Sequence, residues 1–382
     1  MRHHLFSVLC LISLLAPFPL LAAQNNSEAP IREALLGHAV PLHQSGEALL
    51  LNEARIHQYF LLGELHGEAD IPALLGDLWP QLWREGYRHV GAEVSPWAAA
   101  HLQRPPSSDP TPIVGLWTRE QAAVVRQFAA SGQNVLWGCD IEEQEPGRLI
   151  TDLAKINPED GSLRRMTDIV ARGYNRKQAP ELLLLAESAH PAHDVVVGGE
   201  SLWSDLRDTL RVEALRSDPH SRFAASEARE RVMKELFLTH YKQEPQAKVL
   251  LRFGRNHLHR GYDARGVSTL GNFVAEWSLA HGESVFNVGV FAAGGKEHLA
   301  GKTFDADERQ DEPTFALLAS LAGADATLFD LRTLRPMLHS ISQDKRTALE
   351  TNLTYWADSY DFLLCYPMVS PLEDHLDLPG HR

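Results

Sequence analysis

The sequence predicts an α/β protein of three layers, with a mainly parallel central sheet and a helical insertion or lid. Two observations carry this. Short apolar runs of strand length, Tyr59 to Leu62, Val90 to Ala92, Val135 to Trp137 and Val249 to Leu251, alternate with segments of helical period up to Trp137, and the strand pattern resumes at Val249. Between residues 141 and 241 the pattern changes to helix after helix, with almost no β-branched alternation. In an open parallel sheet the groups just past the carboxyl ends of the strands line a crevice. Glu64 with His66, Glu93, Asp140 and His257 all occupy that position.

In chain order, Met1-Arg2-His3-His4, an apolar segment from Leu5 to Leu21 and Ala22-Ala23 read as a signal peptide over residues 1–23, so an exported, periplasmic or secreted protein is expected. Cys10 lies inside the apolar segment and is not read as a lipidated cysteine. No later stretch approaches the roughly 18 continuous apolar residues of a membrane span. Residues 24–140 form the first part of the α/β core: a peripheral start, a short helix from Ala48 to His57, and the strand, helix and strand of 59–97. A Pro-rich loop, Pro105 to Pro112, follows. A helix from about Thr118 to Ser131 is capped by Thr118 with Gln121 three residues on and stopped by Gly132, and leads to the strand Asn134 to Asp140. Residues 141–241 are the insertion, with Leu182 to Leu185, Ser201 to Leu215 and Ser226 to Tyr241 its clearest helices. Residues 242–382 resume the core with strands at Lys248 to Phe253, Val285 to Val290, Ala326 to Asp330 and Tyr360 to Tyr366, and a helix from Ser268 to His281.

The formal charge of −14 argues against a nucleic-acid or anionic-membrane partner, since either favours a basic face. Once the signal is removed only Cys139 and Cys365 remain, each near the end of an apolar run, which reads as two buried thiols in preference to a disulfide. There is no G-x-S-x-G elbow, Walker loop, H-E-x-x-H helix or CxxC pair, so the signatures of serine hydrolases, nucleotide hydrolases, zincins and thiol oxidoreductases are missing.

Two segments of the form GxxH stand at the ends of apolar runs, Gly63-Glu64-Leu65-His66 and Gly254-Arg255-Asn256-His257. Composition alone gives roughly one such match, so the context carries the weight: each copy ends an apolar run, where a glycine lets the backbone turn and an imidazole can face the crevice. Carboxylates beside imidazoles suit proton transfer or metal ligation. Plainer readings stand beside these. Glu68 suits the positive end of the following helix. Asp140 suits a helix cap or a supporting partner, His259 a loop position, and Trp79, Trp83 and Trp97 the core and its rim.

These segments resemble the erythromycin esterase and ChaN-like superfamily, related to the Tiki and TraB proteins. Gly63-Glu64-Leu65-His66-Gly67 looks like the opening G-E-x-H or G-E-x-x-H-G motif, in the shorter spacing of the ChaN branch. Ala92-Glu93-Val94-Ser95 is similar to the second, glutamate-bearing strand end, and Trp137-Gly138-Cys139-Asp140 to the esterases' G-x-D strand end. Arg229-Glu230-Arg231-Val232-Met233 looks like their helical R-D-x-x-M segment. Gly254-Arg255-Asn256-His257, with Ser268 to Phe273 after it, looks like the H-N-x-H segment and its following helix.

The resemblance implies an α/β core with a helical subdomain and a hydrolase that attacks an ester or amide bond of a small-molecule or peptide substrate. His66 would be the general base, Glu64 and Glu93 would orient the water and hold the imidazolium, and His257 would steady the developing charge. Asp140, Arg255, Arg229, Glu230 and His259 would support them. No cofactor is required in that reading. The same resemblance leaves two alternatives open: a periplasmic haem- or iron-binding protein of the ChaN type, and a Tiki-like metallohydrolase in which Glu64, His66, Glu93 and His257 would hold zinc or manganese.

Overall fold

In the computed structural model the described residues are 28–104, 119–143, 146–299, 302–310 and 312–373; the signal segment 1–23, the Pro-rich loop and the Thr118 cap lie outside them. The strands are β1 (Ala39–Pro41), β2 (Tyr59–Glu64), β3 (Tyr87–Ala92), β4 (Leu136–Gly138), the short pair β5 (Val196–Val197) and β6 (Glu200–Ser201), β7 (Lys248–Gly254), β8 (Val285–Leu299), β9 (Lys302–Asp307), β10 (Thr327–Asp330) and β11 (Phe362–Tyr366). All but β5 and β6 join one sheet of order β1-β10-β11-β8-β2-β7-β3-β4, with β9 folded back on β8. The five neighbouring pairs from β11 through to β4 are parallel, and β1, β10 and β9 pair antiparallel.

Alternation along the strands makes the layers. Phe60 and Leu62 of β2 and Leu250 of β7 pack toward α2 (Glu47–Ile56), α3 (Asp70–Arg84), α4 (Pro96–Leu102), α5 (Arg119–Ser131), α6 (Pro146–Ile156), α7 (Gly161–Val170), α8 (Ala179–Ser188) and α9 (Leu202–Arg216). Tyr59, Leu61, Val249, Leu251 and Phe253 point the other way, onto α10 (Arg222–Gln243) and α11 (Leu270–His281). Farther along that same face, α1 (Glu28–Gly37), α12 (Pro313–Leu321), α13 (Arg335–Ser340) and α14 (Ala348–Ser359) cover Phe291, Phe329 and Leu363. The result is the predicted three-layer α/β architecture with a largely parallel sheet. Trp79 and Trp97 are core residues.

Register sets the site. Glu64 is level with Gly254, and Ala92 with both Arg252 and Gly138, so β2, β7, β3 and β4 end on one line. Two elements depart from the sequence expectation. β8 continues well past Val290, and β9 returns along it; the β9 residues Lys302 to Phe304 are charged or exposed and show no apolar alternation. Cys139 and Cys365 are free and buried. Five strand spacings separate β11 from β4, about 24 Å, far beyond the Cα separation a disulfide spans.

Candidate functional site

β2 delivers Glu64 at its last residue, and the chain then turns through His66 and Gly67 before α3 begins at Asp70. Gly67 has φ of 98°, and a Cβ there would lie 2.8 Å from the carbonyl oxygen of His298. Its own carbonyl accepts hydrogen bonds from the N–H groups of His298 (2.8 Å) and Leu372 (2.9 Å). The β8–β9 hairpin and the segment after β11 thus clamp the loop that carries His66. The imidazole stands between two carboxylates, with Nδ1 3.6 Å from Glu64 and Nε2 3.6 Å from Glu93, and 49% of its side chain is exposed. Both gaps exceed a hydrogen-bond length.

Glu93, one residue past β3, is the hub. Its Oε2 accepts the backbone N–H of Gly254 at 2.6 Å, and its Oε1 accepts Arg229 Nη2 at 2.8 Å. His257 Nε2 lies 3.3 Å from the same Oε1. Behind it, His257 Nδ1 meets Glu230 at 2.5 Å, and Glu230 also accepts the N–H of Leu270 at 2.7 Å. Consecutive positions on α10 therefore serve Glu93 through Arg229 and His257 through Glu230. Arg229 also pairs with Asp140 and, at 3.0 Å, with Glu143. Asp140 is a partner of this arginine and not a cap, since α6 starts only at Pro146.

The structure thus brings Glu64, His66, Glu93 and His257 together, with Arg229, Glu230 and Asp140 around them. Two supporting residues suggested by the sequence go elsewhere. Arg255 turns away to Glu308 (2.6 Å) and the Val290 carbonyl and sits over Phe315 and Trp356, anchoring the 3-10 turn Arg255–His257 to β8. His259 is buried against Tyr355, Trp356, Ser359 and Tyr360. Sequence reasoning missed Arg252, whose Nε donates to Glu64 Oε2 at 2.7 Å, and Glu143. The signal for Arg252 was present, because an arginine inside the apolar run Val249 to Phe253 demands a buried counter-charge. Glu68 is also unlike a solvated helix-start residue: it is 2% exposed, and neither carboxyl oxygen has a partner among the described residues.

These contacts set the charges. Burial opposes ionisation of Glu93, but His257, Arg229 and His66 hold its carboxyl well below the usual range. Burial likewise opposes Glu64, and Arg252 with His66 pulls it down. Burial disfavours both imidazolium ions, yet Glu64 and Glu93 raise His66 to about 9, and Glu93 with Glu230 raises His257 to about 9. Burial, then the nearby Glu64, pushes Glu68 up to about 8. The shifts favour ionised Glu64, His66, Glu93 and His257 at neutral pH, with the protonated form favoured at Glu68 beside them.

Zinc, manganese or haem iron would need converging free donors. Both ring nitrogens of His257 face carboxylates and both oxygens of Glu93 are engaged. Among the described residues no group of three His, Cys, Asp or Glu side chains has metal-holding geometry. In this arrangement the four residues fit one another and not a metal.

No family model and no curated protein matches the chain. Solved structures do. A Bacillus cereus protein superposes with TM-score 0.56 at 13% identity over 91% of this chain and 99% of its own. A succinoglycan biosynthesis protein gives 0.60 at 12%, over 90% and 97%. A mutant of the erythromycin esterase EreC in its open conformation gives 0.58 at 12%, over 87% and 95%. The chain has the erythromycin-esterase fold, as its motifs suggested.

Proposed function

We propose that the chain is a hydrolase cleaving an ester or amide bond of a small-molecule or peptide substrate, with His66 as general base assisted by Glu64, Glu93 and His257. The observation that supports this most is His66 itself: an imidazole half open to solvent, held between two carboxylates at the ends of parallel strands. Fold kinship with an esterase agrees with it.

In the proposed reaction neutral His66 takes a proton from water as the water oxygen attacks the carbonyl carbon. The C=O π pair moves onto oxygen, giving a tetrahedral oxyanion. Its collapse expels the alcohol or amine, which takes the proton from His66, and leaves a carboxylic acid that ionises. Glu64 and Glu93 hold the imidazolium formed in the first step. His257 and Arg229, both on Glu93, fix that carboxylate in place.

The base is available only once His66 has lost a proton held to about 9. With p-nitrophenyl acetate as probe, the rate is expected to rise with pH from 6, to be half-maximal near 9 and to level off above it. His66→Asn and Glu93→Gln should lose on the order of 10²-fold or more in kcat. Full activity in both variants would sink the assignment.

A further inference from the structure

The proposed hydrolysis leaves its oxyanion without an obvious donor. Both nitrogens of His257 are engaged by Glu93 and Glu230, and Arg229 is spread over Glu93, Asp140 and Glu143. A second arginine stands at the strand ends, on the opposite side of the sheet. Along β7 the residues Val249, Leu251 and Phe253 pack toward α10 and α11, whereas Leu250 packs toward α3, so alternation puts Arg252 on the α3 side.

Arg252 is only 4% exposed, and its Nε is fixed on Glu64 Oε2 at 2.7 Å. Neither Nη has a hydrogen-bond partner among the described residues, and neither is sealed from solvent. The other oxygen of the same carboxylate, Glu64 Oε1, lies 3.6 Å from His66 Nδ1. The open end of a buried guanidinium is thus one carboxylate away from the half-exposed imidazole. Neutralising Glu64 needs only a charge; two free, preoriented N–H donors in a fork match the oxygens of a carboxylate or tetrahedral anion.

We propose that Arg252 is a catalytic residue of this site: its free Nη groups hold the scissile carbonyl oxygen as it becomes the oxyanion, and then the carboxylate product. The inference rests on the hydrolase reading above. It adds no bond to the reaction already written; the pair stays on the carbonyl oxygen, which as the oxyanion accepts hydrogen bonds from the guanidinium N–H groups, and it re-forms C=O when the leaving group departs.

The test uses the full chain and the monomethyl ester of phenylphosphonic acid, a tetrahedral monoanion. In the wild-type protein, side-chain ¹⁵N resonances that vanish in Arg252→Lys are those of Arg252, and they should shift as the phosphonate is added. Arg252→Lys keeps a positive charge beside Glu64 but loses the fork. It should bind the phosphonate about tenfold more weakly, and its kcat on p-nitrophenyl acetate should fall on the order of 10²-fold or more with KM little changed. Unmoved Arg252 resonances in the wild type, or wild-type phosphonate affinity in Arg252→Lys, would overturn the proposal. The two readings separate through His66→Asn. If that variant hydrolyses the ester normally while the phosphonate still shifts Arg252, the anion site stands and the base assignment falls. If it is inactive while Arg252 ignores the phosphonate, the reverse holds.

Discussion

His257 stands in the candidate site with both ring nitrogens turned to carboxylates. It is nearly buried, and each ring nitrogen meets a carboxylate, so the ring is held as an imidazolium. Its pKa in the folded chain, about 9, lies above the ordinary 6.5. The stabilisation linked to it is therefore fully present below about pH 6.5 and is lost as pH rises toward 9. Denaturant unfolding should give falling stability between pH 6.5 and 9 in the wild type and a shallower slope in His257→Gln; equal slopes would remove the imidazolium assignment. Glu230→Gln takes away one of the two carboxylates of a buried cation and is expected to cost about 3 kcal/mol, measured in the same experiment at pH 6. Residue types at strand ends were legible in the sequence, whereas the direction of each side chain was not. Arg255 and His257 share one turn and leave it on different sides, one to Glu308 and the other to Glu93 and Glu230.

Strand ends, more than any one side chain, hold the constellation in place. Gly254 closes β7 where Glu93 and His66 pass directly over it, and a Cβ there would lie 2.6 Å from His66 Nε2 and 3.2 Å from Glu93 Oε2. Its backbone N–H is also the donor to Glu93. Gly254→Ala should therefore displace His66 and cut hydrolysis of p-nitrophenyl acetate by at least about tenfold. Its melting temperature should change much less than that of Gly67→Ala, where the positive φ and the His298 backbone both resist a side chain. An active Gly254→Ala would mean that His66 does not occupy this position in catalysis. The strands with apolar runs could be read from the chain because burial on both faces demands such runs. β9 could not, because its residues Lys302 to Phe304 are exposed and only Ala306 reaches the core, so pairing to β8 does most of the holding.

Across the whole molecule, chain segments far apart in sequence meet at the carboxyl ends of the parallel strands: β2 and its loop, β3, the end of β4, α10 and the end of β7. The same arrangement keeps the two described cysteines apart and buried. Ellman's reagent should find neither in the native protein lacking residues 1–23 and both after denaturation; a native disulfide would appear as no thiol in either state. By itself the sequence determined the α/β class, the order of most elements and the residue types at the strand ends, because hydrophobic period and strand-terminal polarity are local properties. Only the tertiary structure decided the partnerships. Strand register placed Arg252 beside Glu64, and α10 packing across the sheet brought Arg229 onto Glu93. Ion pairing depends on distances of a few ångströms between distant segments, and those distances exist only once the layers are packed.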